Sequence, residues 1–171
     1  MKKKFIVYLL SLFFIQSVLL AKEKIYLRCP SIIYKNESLG EFGKLFSEGR
    51  EIMRHYIEID ILNSLEAKVS EYVASEEFYK MGAYQKASQN FKGLAQINDQ
   101  NQIEFATPFT DIKESISANT IVSLSRKGSE WQSTGIEIWK QKKLIDVKYF
   151  FKGDCRVLEK KEFLTLRKNS Q

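Results

Sequence analysis

Hydrophobic residues at every second position are the feature that most constrains the fold of this chain. In residues 56–62, Ile57, Ile59 and Ile61 share one side of an extended chain, and acidic residues lie on the other. Successive side chains of a β-strand point to opposite faces, so this spacing is typical of a strand with one buried face. Strand patterns also occur in residues 24–29, 67–73, 95–97, 102–105, 119–126, 135–140, 144–151 and 155–158. We therefore expect a mainly β fold.

Short polar turns separate these segments. Asn63-Ser64 follows the isoleucine-rich segment, residues 98–101 are all polar, and Lys127-Gly128-Ser129 contains a glycine. Turns of this kind join neighbouring antiparallel strands. Lys152-Gly153-Asp154 has a similar composition and is expected to separate the last two strands.

Two prolines set further expected boundaries. Pro30 and Thr107-Pro108 are each expected to end a strand, because proline has no backbone N–H to donate. With these boundaries the predicted number of strands is eight to ten. Short strands joined by short turns predict an antiparallel meander closed as a small barrel or sandwich.

Two stretches depart from this pattern. Residues 36–49 are rich in glycine and predict turns, with a short strand at Phe42 to Phe46. In residues 75–90 apolar positions recur at intervals of three and four, which predicts a short helical segment. Residues 79–87, from Tyr79 to Ala87, resemble the centre of a tetratricopeptide repeat. Such repeats are stable only when stacked, and no second copy occurs in this chain.

The N-terminus predicts export. Lys2, Lys3 and Lys4 precede an apolar run over residues 5–20, which is the order found in a secretory signal peptide. We expect residues 1–21 to be a signal peptide and residues 22–171 to form a single exported β domain, periplasmic or secreted. The membrane is then involved only through the signal peptide. Residues 22–171 hold 24 basic and 21 acidic side chains, and this mixed charge argues against nucleic-acid binding.

The chain contains two cysteines, Cys29 and Cys155. In an oxidising compartment two such residues normally pair. We expect one disulfide bond that joins the start of the exported domain to its end. A redox-active pair would have the Cys-x-x-Cys spacing, which these residues lack.

No pattern of catalytic or cofactor-binding residues is present, and we expect neither enzyme activity nor a cofactor or metal. His55 is the only histidine, and no Gly-x-Ser-x-Gly motif accompanies it. We expect His55 to be an ordinary surface or half-buried residue. Glu58 and Asp60 share a strand face, as a pair of catalytic carboxylates would. They alternate with Ile57, Ile59 and Ile61, however, and this alternation assigns both acids to the solvent side.

Aromatic residues give the best indication of function. The chain has 12 Phe, 8 Tyr and 2 Trp. Such residues fill β-cores and also line ligand pockets. An eight-stranded barrel is just wide enough to hold one small ligand. The hypothesis is a non-catalytic domain that binds a small apolar ligand, with Trp131 and Trp139 as possible pocket residues.

An envelope protein that serves a structural role or binds a partner is the alternative hypothesis. The basic pairs Lys160-Lys161 and Arg167-Lys168 lie near the C-terminus and could contact a protein partner or an anionic surface. The oligomeric state is left open by the sequence.

Residues 121–163 resemble the C-terminal part of small exported antiparallel β-proteins of unknown function, which are loosely lipocalin-like. The resemblance rests on Ser125-Arg126-Lys127-Gly128, on Gly153-Asp154-Cys155 and on Lys160-Lys161-Glu162-Phe163. It implies a β-barrel fold and carries no activity with it.

Overall fold

The computed structural model describes residues 24–39, 47–74, 88–111, 116–141 and 145–169. These residues form eight β-strands followed by one helix. The elements are β1 (Lys24–Asn36), β2 (Glu51–Ile61), β3 (Glu66–Ala74), β4 (Ser88–Ile97), β5 (Ile103–Asp111), β6 (Ile116–Lys127), β7 (Glu130–Gln141), β8 (Ile145–Val157) and α1 (Lys160–Asn169).

The strands form a closed antiparallel barrel in which each strand pairs with its neighbours in sequence and β8 pairs with β1. Alternate residues point into the barrel. In β1, for example, Leu27, Cys29 and Ile33 are all fully buried. The predicted mainly β class and the closed meander are therefore confirmed, and a sandwich is excluded.

The prediction that Pro30 and Pro108 end their strands is wrong, because both prolines lie inside a strand. Pro30 pairs with Arg54 of β2 and lies beside a shift in register. Pro108 pairs with Asn119 of β6. Among the described residues, the ladder between β4 and β5 contains two pairs, both at the end of the strands next to residues 98–102. A missing donor is tolerated at a bulge or along a poorly paired strand, which explains both positions.

Residues 152–154 are not a turn, and the last two predicted strands are one continuous strand, β8. Gly153 lies inside this strand. The position requires glycine, because a Cβ atom there would overlap the carbonyl oxygen of Pro30. The glycine therefore marks a close approach of the β1 and β8 backbones. The described residues therefore form eight strands.

Some expectations fall on residues outside the described ranges. These are the signal peptide at residues 1–21, the short strand at residues 42–46, and residues 75–87 of the predicted helical segment, which include the part that resembles a tetratricopeptide repeat. Residues 88–90 of the predicted helical segment belong to β4 instead.

The C-terminal segment is a helix that packs on the outside of the barrel. Phe163 of α1 is fully buried, and its ring lies 5.1 Å from that of Tyr26 and 6.3 Å from that of Tyr56. The guanidinium of Arg167 stacks on the Tyr72 ring at 4.4 Å. The basic residues near the C-terminus are thus part of a packed helix. Among the described helices, none is long and apolar enough to cross a bilayer.

The seam between β1 and β8 is held by a covalent bond. Cys29 and Cys155 form the predicted disulfide, with their Cα atoms 4.2 Å apart. Beyond the end of β1, the Glu37 carboxylate bonds to Lys148 and Lys35, and these two hydrogen bonds lower its pKa to about 2. The disulfide indicates that the domain folds in an oxidising environment.

The two ends of the barrel differ because both long connections, residues 37–50 and 75–87, lie at the same end. At one end, residues 62–65, 98–102 and 128–129 join the strands, and we call this the short-turn end. At the other end the connections are residues 37–50, 75–87, 112–115 and 142–144, and we call this the loop-bearing end.

Candidate functional site

A band of polar side chains crosses the barrel near its loop-bearing end. Each of the seven strands from β2 to β8 contributes one residue, located two to four positions from the strand end. All except Asn90 are buried. This polar belt consists of His55, Glu71, Asn90, Thr107, Thr120, Glu137 and Tyr149.

Four of these residues form one half of the belt. Nδ1 of His55 lies 2.6 Å from Oε1 of Glu71. The amide of Asn90 donates to the other Glu71 oxygen at 2.9 Å and lies 3.3 Å from the hydroxyl of Thr107. Asn90 thereby connects β4 to β5 in the region where their backbones are not paired. The Glu71 carboxylate is held from both sides.

The position of His55 depends on its aromatic neighbour. The imidazole stacks on the Phe151 ring, with centroids 5.6 Å apart and planes 17° apart. Phe151 pairs with Gly135 of β7, and a Cβ atom on Gly135 would overlap the Phe151 ring. The glycine therefore makes room for the ring against which the histidine rests.

The remaining three residues form the other half of the belt. The Thr120 hydroxyl donates to Oε2 of Glu137 at 3.2 Å. The phenol of Tyr149 also hydrogen-bonds to Glu137. Burial, followed by the nearby Glu137 charge, raises the pKa of Tyr149 well above its usual value. The phenol is consequently a permanent hydrogen-bond donor. Thr107 and Thr120 are paired across β5 and β6, which brings the two halves together.

The interior on the short-turn side of the belt is apolar and packed. The rings of Phe91 and Phe105 stack at 5.0 Å on its border. The fully buried aliphatic side chains of this core are Leu27, Ile57, Ile59, Val69, Val122 and Leu124. The apolar core continues past the belt toward the loop-bearing end through Ile33, Met53 and Val147, so the polar belt lies within the core.

Two buried polar atoms on the inner wall have no hydrogen-bond partner within the described ranges. They are Oγ of Ser31 and Nε2 of His55, and both side chains are fully buried. Ser31 pairs with Met53, and Cys29 pairs with His55. Ser31 and His55 are therefore diagonal neighbours on the same inner face, where Cβ atoms are about 7–8 Å apart or somewhat less.

The two tryptophans predicted as pocket residues occupy opposite ends of β7. Trp131 is buried near the short-turn end, beneath the Arg126 guanidinium at 5.8 Å. Trp139 is paired with Ala118 and Val147 near the loop-bearing end, and its side chain lies outside the described residues. Eight residues of strand, about 26 Å, separate their Cα atoms, so the two do not form one cluster.

The expectation for His55 is wrong, because the residue is fully buried and bonded to Glu71. A signal was present in the sequence: His55 has the same parity as Ile57 and Ile59, and Glu71 has the same parity as Val69. Glu58 and Asp60 are partly exposed on the outer face. In the described part of the chain, no group of three or more histidine, cysteine, aspartate or glutamate side chains could hold a metal ion.

These features define an eight-stranded antiparallel β-barrel that is lipocalin-like in general shape, closed by a disulfide and crossed by a polar belt. Comparison of the chain with protein-family models, with curated proteins and with solved structures gave no match.

Proposed function

We propose that this domain binds a small, mainly apolar ligand inside the barrel, through the loop-bearing end, and does not convert it chemically. The polar belt is the observation that carries the proposal. The ligand's apolar part would lie toward the loop-bearing end, with its polar group at the belt.

The energetic cost of the belt supports this function. Burying a carboxylate is expensive even when it is hydrogen-bonded, and apolar side chains of similar volume are often as stabilising or more so. The interior nevertheless holds both Glu71 and Glu137. A barrel that served only as a rigid support would be about as stable, or more stable, with apolar side chains in their place. Binding of a partly polar molecule gives a reason for retaining them.

We propose that the domain works outside the cytoplasm, as a periplasmic or secreted protein. The Cys29–Cys155 disulfide supports this location, because such bonds persist in oxidising compartments. The basic and then apolar order of residues 1–21 supports it as well.

Partner binding is the second candidate function, and the outer surface of α1 favours it. Lys160, Lys161 and Lys168 are exposed, and Leu164 is 40% exposed on the same helix. A positively charged surface with one apolar residue suits an acidic protein partner. This function requires the outside of the barrel and does not require the belt.

Titration with the neutral fluorescent probe N-phenyl-1-naphthylamine tests the proposed function. We expect saturable binding of one probe molecule per domain, with quenching of tryptophan emission. Thr120→Phe fills the interior at the belt and should weaken binding at least tenfold. Ile121→Phe is the matched control, because Ile121 is the next residue along β6 and is exposed on the outer face.

Circular dichroism and the thermal midpoint establish that each variant is folded. If Thr120→Phe does not fold, Thr107→Leu introduces a smaller obstruction at the paired position on β5. The proposal fails if the probe does not bind the wild-type domain, or if the inward and outward variants bind it equally well.

A further inference from the structure

We infer that Ser31 and His55 together recognise a hydroxyl group, so that the ligand is an uncharged alcohol and not a fatty acid or an amine. This inference rests on the proposed function and specifies the chemistry of the same site.

Within the described residues, the belt leaves Nε2 of His55 without a partner, and Ser31 on the neighbouring strand β1 adds a hydroxyl without one. Nδ1 of His55 lies 2.6 Å from Oε1 of Glu71, and this hydrogen bond assigns the ring proton of the neutral tautomer to Nδ1. Nε2 of the neutral imidazole is then an acceptor, and it has no partner among the described residues. The Ser31 hydroxyl is both a donor and an acceptor, and it too has no partner in that part of the chain.

A hydroxyl group matches this pair. Its O–H donates to Nε2 of His55, and its oxygen accepts from the Ser31 hydroxyl. The register of β1 and β2 makes the two residues diagonal neighbours on the inner face, a spacing that one ligand oxygen between the two side chains can bridge. Leaving either atom buried without a bond costs free energy, and the alcohol removes both costs at once.

The charges in the interior disfavour an acidic ligand. Among the buried residues that the structure describes, the ionisable acids Glu71 and Glu137 outnumber the single basic group, His55. A ligand carboxylate would lie beside two buried carboxyl groups in a place shielded from water. An ammonium group has three donors and could donate to both atoms, but it would bring a charge into an interior where both oxygens of Glu71 already have partners.

Ser133 provides a matched control for Ser31. Both serines are fully buried, but the hydroxyl of Ser133 already has a bond to the carbonyl oxygen of Gly153 at 3.4 Å. Changing Ser133 to alanine therefore removes a serine from the barrel wall without removing a free donor. Ser31→Ala removes an unpartnered hydroxyl and should leave the fold intact.

The experiment measures displacement of N-phenyl-1-naphthylamine by decanol, decanoate, decylamine and decyl methyl ether. Decanol should bind the wild-type domain at least tenfold more tightly than the other three. Ser31→Ala should weaken decanol about tenfold, which corresponds to one lost hydrogen bond, and should weaken the ether by a similar factor, because the ether oxygen also accepts from Ser31. The probe, which has no oxygen atom, should be affected least. Ser133→Ala should change none of the four.

A second readout follows the histidine directly. The ¹⁵N chemical shift of Nε2 in His55 should change when decanol binds and should not change with the ether. Three results would overturn the inference: equal binding of decanol and decanoate, tighter binding of decylamine than of decanol, or no effect of Ser31→Ala on decanol. If the probe still binds in these cases, the proposed function stands. Loss of probe binding to the wild type overturns both. Hydrolysis of decyl acetate that disappears in Ser31→Ala also overturns it, because the serine would then be a nucleophile.

Discussion

The absence of one side chain determines how the candidate site is built. Gly135 leaves the space that the Phe151 ring fills, and the ring in turn supports the imidazole of His55. Any larger residue at position 135 would also overlap the carbonyl oxygen of Ile121 in the adjoining strand. The geometry of the histidine thus depends on a residue in β7, far from it in sequence.

The ionisation of Tyr149 is testable at the level of one residue. Because burial and the Glu137 charge raise its pKa, the folded domain keeps this phenol protonated through the range near pH 10 where a free tyrosine ionises. Below pH 10 the phenol of Tyr149 is neutral in both the folded and the unfolded chain, and its stabilisation of the folded domain is fully present. It is lost as the pH rises further, because the unfolded chain ionises first.

Absorbance at 295 nm, measured against pH for the wild type and for Tyr149→Phe, isolates this group. The difference between the two titrations should remain flat through pH 10 and rise only as the domain unfolds. A difference curve with its midpoint near pH 10 would contradict the buried hydrogen bond to Glu137.

Among the secondary-structure elements, α1 makes a clear prediction. Phe163→Ala should lower the free energy of unfolding by about 3 kcal/mol, because it removes a fully buried ring from between the helix and the barrel. Leu164→Ala is the control on the same helix, and its 40% exposed side chain should change stability by less than about 0.5 kcal/mol.

Thermal or denaturant unfolding followed by near-ultraviolet circular dichroism measures both variants. The rings of Tyr26 and Tyr56 lie against Phe163 and report on its removal. Equal stability of the two variants would mean that α1 does not pack on the barrel in solution.

The strands were predictable where their pattern is local. Alternation along β2 and β3 identifies the buried face, since each strand carries that information within a few residues. The predictions for Pro30, Pro108 and Gly153 were wrong, because the structural role of each residue depends on partner strands that the local sequence does not specify. The helix α1 was not predicted, since its buried face forms only against tyrosines of β1 and β2.

The candidate site was predictable only in part. Parity places His55 and Glu71 on the apolar faces of their strands, which marks them as buried ionisable residues. The pairing between Thr120 and Glu137 could not be predicted, because it follows from the register of β6 against β7. The free atoms of Ser31 and His55 likewise become evident only once β1 is set against β2.

For the whole molecule, the disulfide should account for much of the stability. Its cysteines are 126 residues apart. In the chain-entropy account, closing a loop of this length lowers the entropy of the unfolded chain and so raises the free energy of unfolding by about 4–5 kcal/mol. Guanidinium unfolding of the Cys29→Ser, Cys155→Ser double variant should show a free energy of unfolding lower by up to that amount.

The double variant is preferred to either single one because it leaves no unpaired thiol to react between molecules. The wild type with its disulfide reduced provides a comparison that keeps the sequence unchanged. Unfolding midpoints that coincide for all three forms would show that the seam between β1 and β8 does not need its covalent bond.

The same bond turns residues 29–155 into a covalent ring that includes all the connections between strands. One peptide-bond cleavage at any of these connections would therefore yield two fragments that stay attached and travel as a single species. They would part only after treatment with a thiol reductant. Damage to one loop by a protease would thus leave the molecule in one piece as long as its surroundings remain oxidising.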